Sequence, residues 1–282
     1  MISGKQIVIL GGGNSPFRIQ PLGQNVVALS ALLLALFVPS TGFPLSAETT
    51  SCAGIEREHS AWSSLLRRYV HDGLVDYEGW KRQGVGELNN YLATLSSVCT
   101  ADERAANRDE RLAFWINAYN AFTVKLILDH YPVRSIRSIG WLPFKKKFIP
   151  MPGLRKEDLS LDDIENDILR KELGEPRIHF AIVCASRSCP KLQAFRADGL
   201  ASQLDQAGRD FIQDSSKNRY DAAKRTFYAS SIFKWFRADF ERAKGSLAAF
   251  IGQYAQPEVA AALKQGDVRI EFLDYDWSLN RN

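Results

Sequence analysis

The sequence predicts an α+β fold, mostly helical, with a single domain packed around a small β-sheet. Three observations predict it. Apolar residues at helical spacing recur from Ser60 to Leu263, and short β-type runs stand between them. No linker, repeat or low-complexity segment divides residues 48–282.

Taken in order, Ser60–Val70 places Trp62, Leu65, Leu66 and Tyr69 on one helical side, and Asp72-Gly73 breaks it before the extended Leu74–Tyr77. Leu88–Leu95 is a second helix. Asp109–Tyr131 is the longest, with Trp115, Tyr119, Phe122 and Leu126 in a stripe and Pro132 as its stop. Trp141–Met151, aromatic and basic around Lys145-Lys146-Lys147, reads as a solvated loop or hairpin, with an anionic-ligand or partner surface as the alternative. Ser160 caps a helix that ends at Gly174. The apolar Ile178–Val183 then reads as a strand opening into a loop. Helices follow near Leu200–Asp214, from Ser230 or Ser231 through Phe240, at Leu247–Tyr254 and at Glu258–Leu263. Strands are expected near Arg225–Ala229 and at Val268–Leu273.

Residues 1–47 read as a targeting segment. Val26–Val38 is a 13-residue run of apolar residues and one serine, and crossing a bilayer takes about 20. Export to a periplasmic or secreted location is the expectation, with an uncleaved N-terminal anchor as the alternative. The run Ile7–Gly13 is not a dinucleotide site, because prolines and the apolar core follow where a helix and a later acidic residue are required. The whole chain carries 36 basic against 32 acidic residues. Without Lys5 and Arg18, the charges of residues 1–47, the balance is 34 against 32. That excess is too small to argue for nucleic acid or for an anionic membrane. The expected partner is an unidentified small molecule or peptide, with no membrane contact beyond an uncleaved anchor.

In an oxidising compartment Cys52, Cys99, Cys184 and Cys189 allow three pairings, of which Cys52–Cys99 with Cys184–Cys189 is the simplest. No metal or cofactor is expected, since the histidines are scattered and no metal-ligand spacing or phosphate loop occurs in residues 48–282.

Chemistry concentrates in Arg177–Pro190, where His179 precedes Cys184, Arg187, Ser188 and Cys189. A nucleophilic thiol needs its thiolate stabilised. Pro190 suits a first helical position, which would set Cys189 at a helix N-terminus. In a strand, His179 and Cys184 have opposite parity, so Cys189 is the better partner for a His179 base. Asn117 and Asn120, one helical turn apart, are expected to be buried amides tied to backbone or ligand. Asn117 could orient His179. Glu165 reads as a cap or surface residue, or else as a partner of Arg187 or His179. Asp276 and Trp277 lie in an apolar tail that should dock on the body, Asp276 more naturally as a turn residue.

These residues carry a resemblance. Phe114–Phe122, Ser160–Glu165, Arg177–Pro190, Ser231–Trp235 and Tyr275–Asn280 are together similar to the family called domain of unknown function 547. The resemblance implies membership and supplies no activity. Two readings follow from the residues. One is an exported thiol-dependent hydrolase or acyl transferase with Cys189, His179 and Asn117 as its catalytic set, and Asn120, Glu165, Cys184, Arg187, Ser188, Asp276 and Trp277 around the ligand. The other is a non-catalytic binding or scaffold domain stapled by a Cys184–Cys189 disulfide.

Overall fold

Helix α1 (Ser60–Tyr69), the hairpin β1 (Val70–His71) and β2 (Leu74–Val75), and α2 (Tyr77–Gln83), α3 (Val85–Ser96) and α4 (Thr100–Ala105) lead into α5 (Arg108–His130). These come from the computed structural model, which describes residues 52–282; the expected targeting segment and Gly11–Gly13 lie outside the described residues. A π-helix (Asp163–Glu172) and a 3-10 helix (Pro176–Phe180) follow, then α6 (Leu200–Ile212), β3 (Arg219–Asp221) and β4 (Thr226–Ala229). The chain continues through α7 (Ser231–Trp235), α8 (Arg237–Lys244), α9 (Leu247–Gly252) and α10 (Pro257–Gln265) to β5 (Arg269–Phe272). The fold is α+β and mostly helical, as the sequence predicts.

Local chemistry accounts for the main elements. Asp72 and Gly73 both adopt positive φ, the two-residue turn that suits a twisted hairpin. The α5 helix starts in a capping box: Asn107 accepts from the Glu110 N–H (3.0 Å), and Glu110 accepts from the Asn107 N–H (2.9 Å). It is buried almost all round from Leu112 to Leu128, the mark of a central helix. In the three-stranded sheet β3 pairs antiparallel with β4, and β4 pairs parallel with β5, Thr226 opposite Arg269. Phe180 anchors the aromatic core, its ring 5.4–6.1 Å from those of Phe211, Phe233, Phe240, Phe250 and Tyr254.

Three local expectations are corrected. The run Ile178–Val183 is not a strand; its first part completes the 3-10 helix. Pro176 fixes the first φ, and the Glu175 carboxylate accepts from the Arg177 N–H (3.1 Å). An apolar run this short has no periodicity that separates buried turn from buried strand. Ser160 does cap, its hydroxyl accepting from the Asp163 N–H (3.1 Å), but the turns that follow widen into the π-helix. The helix expected from Ser230 to Phe240 breaks at Phe236 (φ −110°, ψ 23°) into α7 and α8.

Cys52 and Cys99 form a disulfide, beside which the Ala53 N–H donates to the Ser97 carbonyl (3.1 Å). Among the described residues no helix is long and apolar enough to cross a membrane.

Candidate active site

The loop after the 3-10 helix is set by α5. Asn120, fully buried, donates to the Ala181 carbonyl (2.9 Å) and accepts from the Val183 N–H (2.8 Å). That two-point grip fixes the chain just before Cys184. Ala185 then takes a left-handed φ of 58°, a conformation an alanine adopts only under constraint, and the Cys189 N–H closes a turn onto the Ser186 carbonyl (3.1 Å). Segment 275–280 lies antiparallel along this loop: the Arg187 N–H donates to the Ser278 carbonyl (2.9 Å), and the Asn280 N–H to that of Ala185 (3.1 Å).

The result is a sulfur surrounded by donors. Cys189 Sγ lies 3.0 Å from the Cys184 N–H nitrogen, 3.5 Å from that of Ser186, 3.1 Å from the Ser186 hydroxyl and 3.2 Å from the Tyr275 hydroxyl. Burial works to raise its pKa. The hydrogen bonds from Cys184, Ser186 and Tyr275 outweigh burial and bring the thiol down to about 7. Cys184 moves the other way. Burial, and the negative charge forming on Cys189 beside it, push its thiol well above the usual range. Cys184 is thus the protonated member of the pair, sharing the Ser186 and Tyr275 hydroxyls at 3.3 and 3.2 Å. The Tyr275 phenol is itself raised by burial and by both sulfurs, so it stays a donor.

Both sulfurs line a cavity of about 240 Å³ whose wall also includes His179, Glu165, Trp235, Phe236 and Trp277. His179 stacks on Phe236 (3.9 Å between centroids) and donates from Nε2 to Asp239 Oδ2 (2.9 Å). A carboxylate only accepts, so Nε2 carries the hydrogen and Nδ1 keeps its lone pair. Burial lowers the His179 pKa against the opposing pull of Asp239, so the ring is neutral at pH 7. Burial alone would raise Asp239, but His179 and Arg170 hold it well below the usual carboxylate range. Arg170 grips Asp239 Oδ2 (2.6 Å) and Asn166 Oδ1 (2.5 Å) and lies over Phe236, so one guanidinium braces three residues around the histidine.

Glu165 reaches the same cavity from the π-helix. Burial raises its pKa to about 7, and the Tyr119 hydroxyl donates to it (3.4 Å). A raised carboxyl is ionised at a cost to the folded state. The cost is absent below the unfolded value, near 4, and is complete above about 7. Glu165→Gln is therefore expected to leave stability unchanged near pH 4 and raise it above pH 7, checked by urea midpoints across pH.

The structure brings together Cys189, Cys184, His179, Glu165 and Trp277. It separates the others. Asn117 makes no hydrogen bond to His179: it holds Phe195, donating to the carbonyl (2.6 Å) and accepting from the N–H (3.1 Å). Asp239 has the orienting role assigned to Asn117. Asn120 positions the loop and does not line the cavity. Arg187 is exposed and donates to the Arg281 carbonyl (3.2 Å), away from Glu165. Ser188 accepts from the Asp276 N–H (2.9 Å), and Asp276 caps Ser278 (2.9 Å to its N–H), so both serve the docked segment. The segment after Pro190 is not helical, so Cys189 owes its low pKa to local donors, not to a helix terminus. Cys184 and Cys189 are free thiols, without the Cys184–Cys189 disulfide of the simplest pairing and of the scaffold reading. His179 and Cys189 share the cavity without a hydrogen bond between them.

Sequence reasoning missed Asp239, Tyr275, Ser186 and Arg170. Only Ser186 lies inside the stretch that drew attention. Asp239 and Arg170 reach the histidine across 60 and 9 residues of chain, with no spacing that announces it.

Neither a curated protein nor a solved structure matches the chain. Residues 104–212 match the family model described as "Protein of unknown function, DUF547". That stretch holds the central helix, the π-helix, the histidine and both thiols, and it belongs to the DUF547 family.

Proposed function

We propose that the protein is a thiol-dependent hydrolase or acyl transferase. The observation that carries this reading is Cys189 Sγ, drawn to a pKa of about 7 by donors in a cavity it shares with His179, whose Nε2 is held by Asp239. A substrate ester, thioester or amide carbonyl would be attacked by the thiolate. A sulfur–carbon bond forms, the bond to the leaving group breaks, and Glu165, protonated up to about pH 7, supplies the leaving group's proton. Water then attacks the acyl-enzyme while His179 Nδ1 takes its proton, and that proton returns to Glu165. The aromatic wall suits an acyl group with an apolar body. An exported location is supported by the Cys52–Cys99 bond.

The test is trapping. Incubation with a series of p-nitrophenyl esters should leave one acyl group on Cys189, read by peptide mass spectrometry, with the label retained in Cys184→Ala and lost in Cys189→Ala. Labelling elsewhere, or none with any ester, overturns the reading. A reactivity profile comes first. Iodoacetamide alkylation of Cys189 in a Cys184→Ala background is expected to rise with pH about a midpoint somewhat above 7, because the Cys184 side chain supplies one of the lowering hydrogen bonds. Tyr275→Phe should move that midpoint further up.

A further inference from the structure

Residues 133–156 contain Arg134, Arg137, Lys145, Lys146, Lys147, Arg155 and Lys156 and no acidic residue. The near balance of the whole chain conceals this concentration. At the turn of the segment Trp141 is 92% exposed and Leu142 54%, the latter held in a left-handed conformation (φ 57°). Lys147 is paired with Asp163, and Arg137 lies over the Trp277 ring. Lys145 and Lys146 are exposed and make no ion pair among the described residues. Both line one depression of about 400 Å³ with Trp141 and Leu142, so free cations and exposed apolar side chains share one face.

We infer that this face docks on an anionic phospholipid membrane surface. An indole and a leucine held out in water gain by entering the interfacial layer, where tryptophan concentrates, while unpaired lysines beside them meet lipid phosphates. Both terms are needed: the lysines supply attraction at a distance, and the Trp141-Leu142 tip supplies apolar burial. Nucleic acid would use the lysines but leave Leu142 unburied. Phe144 of the same segment lines the Cys189 cavity, so a docked membrane would lie beside its wall. The inference stands apart from the proposed reaction and does not need it.

The readout is placed at Trp141, because the apolar run 26–38 could hold the full chain on vesicles unaided. Trp141 emission is isolated as the difference between the full chain and its Trp141→Phe variant. With vesicles of phosphatidylcholine and phosphatidylglycerol this difference should shift to the blue and be quenched by brominated lipid. Pure phosphatidylcholine should leave it unchanged. Lys145→Gln/Lys146→Gln should require about thirty-fold more lipid for half the shift. An equal response to neutral vesicles, no response to anionic ones, or a response to RNA alone overturns the assignment.

Discussion

Replacing Asn120 with alanine should cost about 2–5 kcal/mol of stability, since two buried backbone groups, the Ala181 carbonyl and the Val183 N–H, lose the amide that satisfies both. The same change should free the chain before Cys184, so in the fraction still folded the Cys189 alkylation midpoint should rise toward that of an ordinary thiol. Asn117→Ala provides the contrast. Its two bonds hold Phe195, beyond the loop, so a comparable loss of stability is expected with the Cys189 midpoint unmoved. Urea denaturation at several pH values and alkylation of the native protein measure the two effects separately. If both variants moved the midpoint equally, the loop would be responding to general loosening and not to the Asn120 grip.

Asp239→Ala should be the most damaging change to the proposed reaction. One carboxylate oxygen, Oδ2, accepts from His179 Nε2 and from Arg170 at once. Alanine removes that acceptor and leaves the Arg170 guanidinium near the ring without its carboxylate. Nothing then holds the hydrogen on Nε2, so the ring is free to carry it on Nδ1, where a base needs a lone pair. A wrong tautomer at a comparable histidine lowers turnover about 10⁴-fold. A loss of about 10³–10⁴ in the deacylation rate is expected here, with acylation by the thiolate much less affected. Pre-steady-state traces with an activated ester separate the two steps, the burst surviving and the steady rate collapsing. A uniform fall in both would assign Asp239 to folding of the cavity instead.

Much of this architecture could be read before any coordinates. The α5 stripe and the strands at 226–229 and 269–272 follow from periodicity and turn residues, and the Cys52–Cys99 bond is half of the simplest of the three pairings the cysteine count left open. The address of the site was legible too, because His179, Cys184 and Cys189 stand close in sequence. The partners were not. Asp239 sits in the first turn of a short helix, where acidic residues are common for reasons of capping alone. Tyr275 looked like one more aromatic in an apolar tail, and only the pairing of that tail against the loop turns its hydroxyl toward sulfur. Asn117 and Asn120 share a type, a helix and a degree of burial, yet grip different stretches of backbone. Spacing conveys a shared face and says nothing of what the face meets. The basic loop taught the converse lesson: a nearly neutral total hid a wholly cationic segment.

The pairing of segment 275–280 with the sulfur loop also has a meaning in time. Synthesis, or passage through an export channel, delivers residues from the N-terminal side first, so the histidine, the two thiols and Asp239 all emerge while Tyr275 is still enclosed. Until then Cys189 lacks a phenol donor, the cavity lacks its Trp277 wall, and Cys184 and Cys189 have one hydroxyl to share in place of two. The set of donors around Cys189 is therefore complete only once segment 275–280 has paired with the sulfur loop.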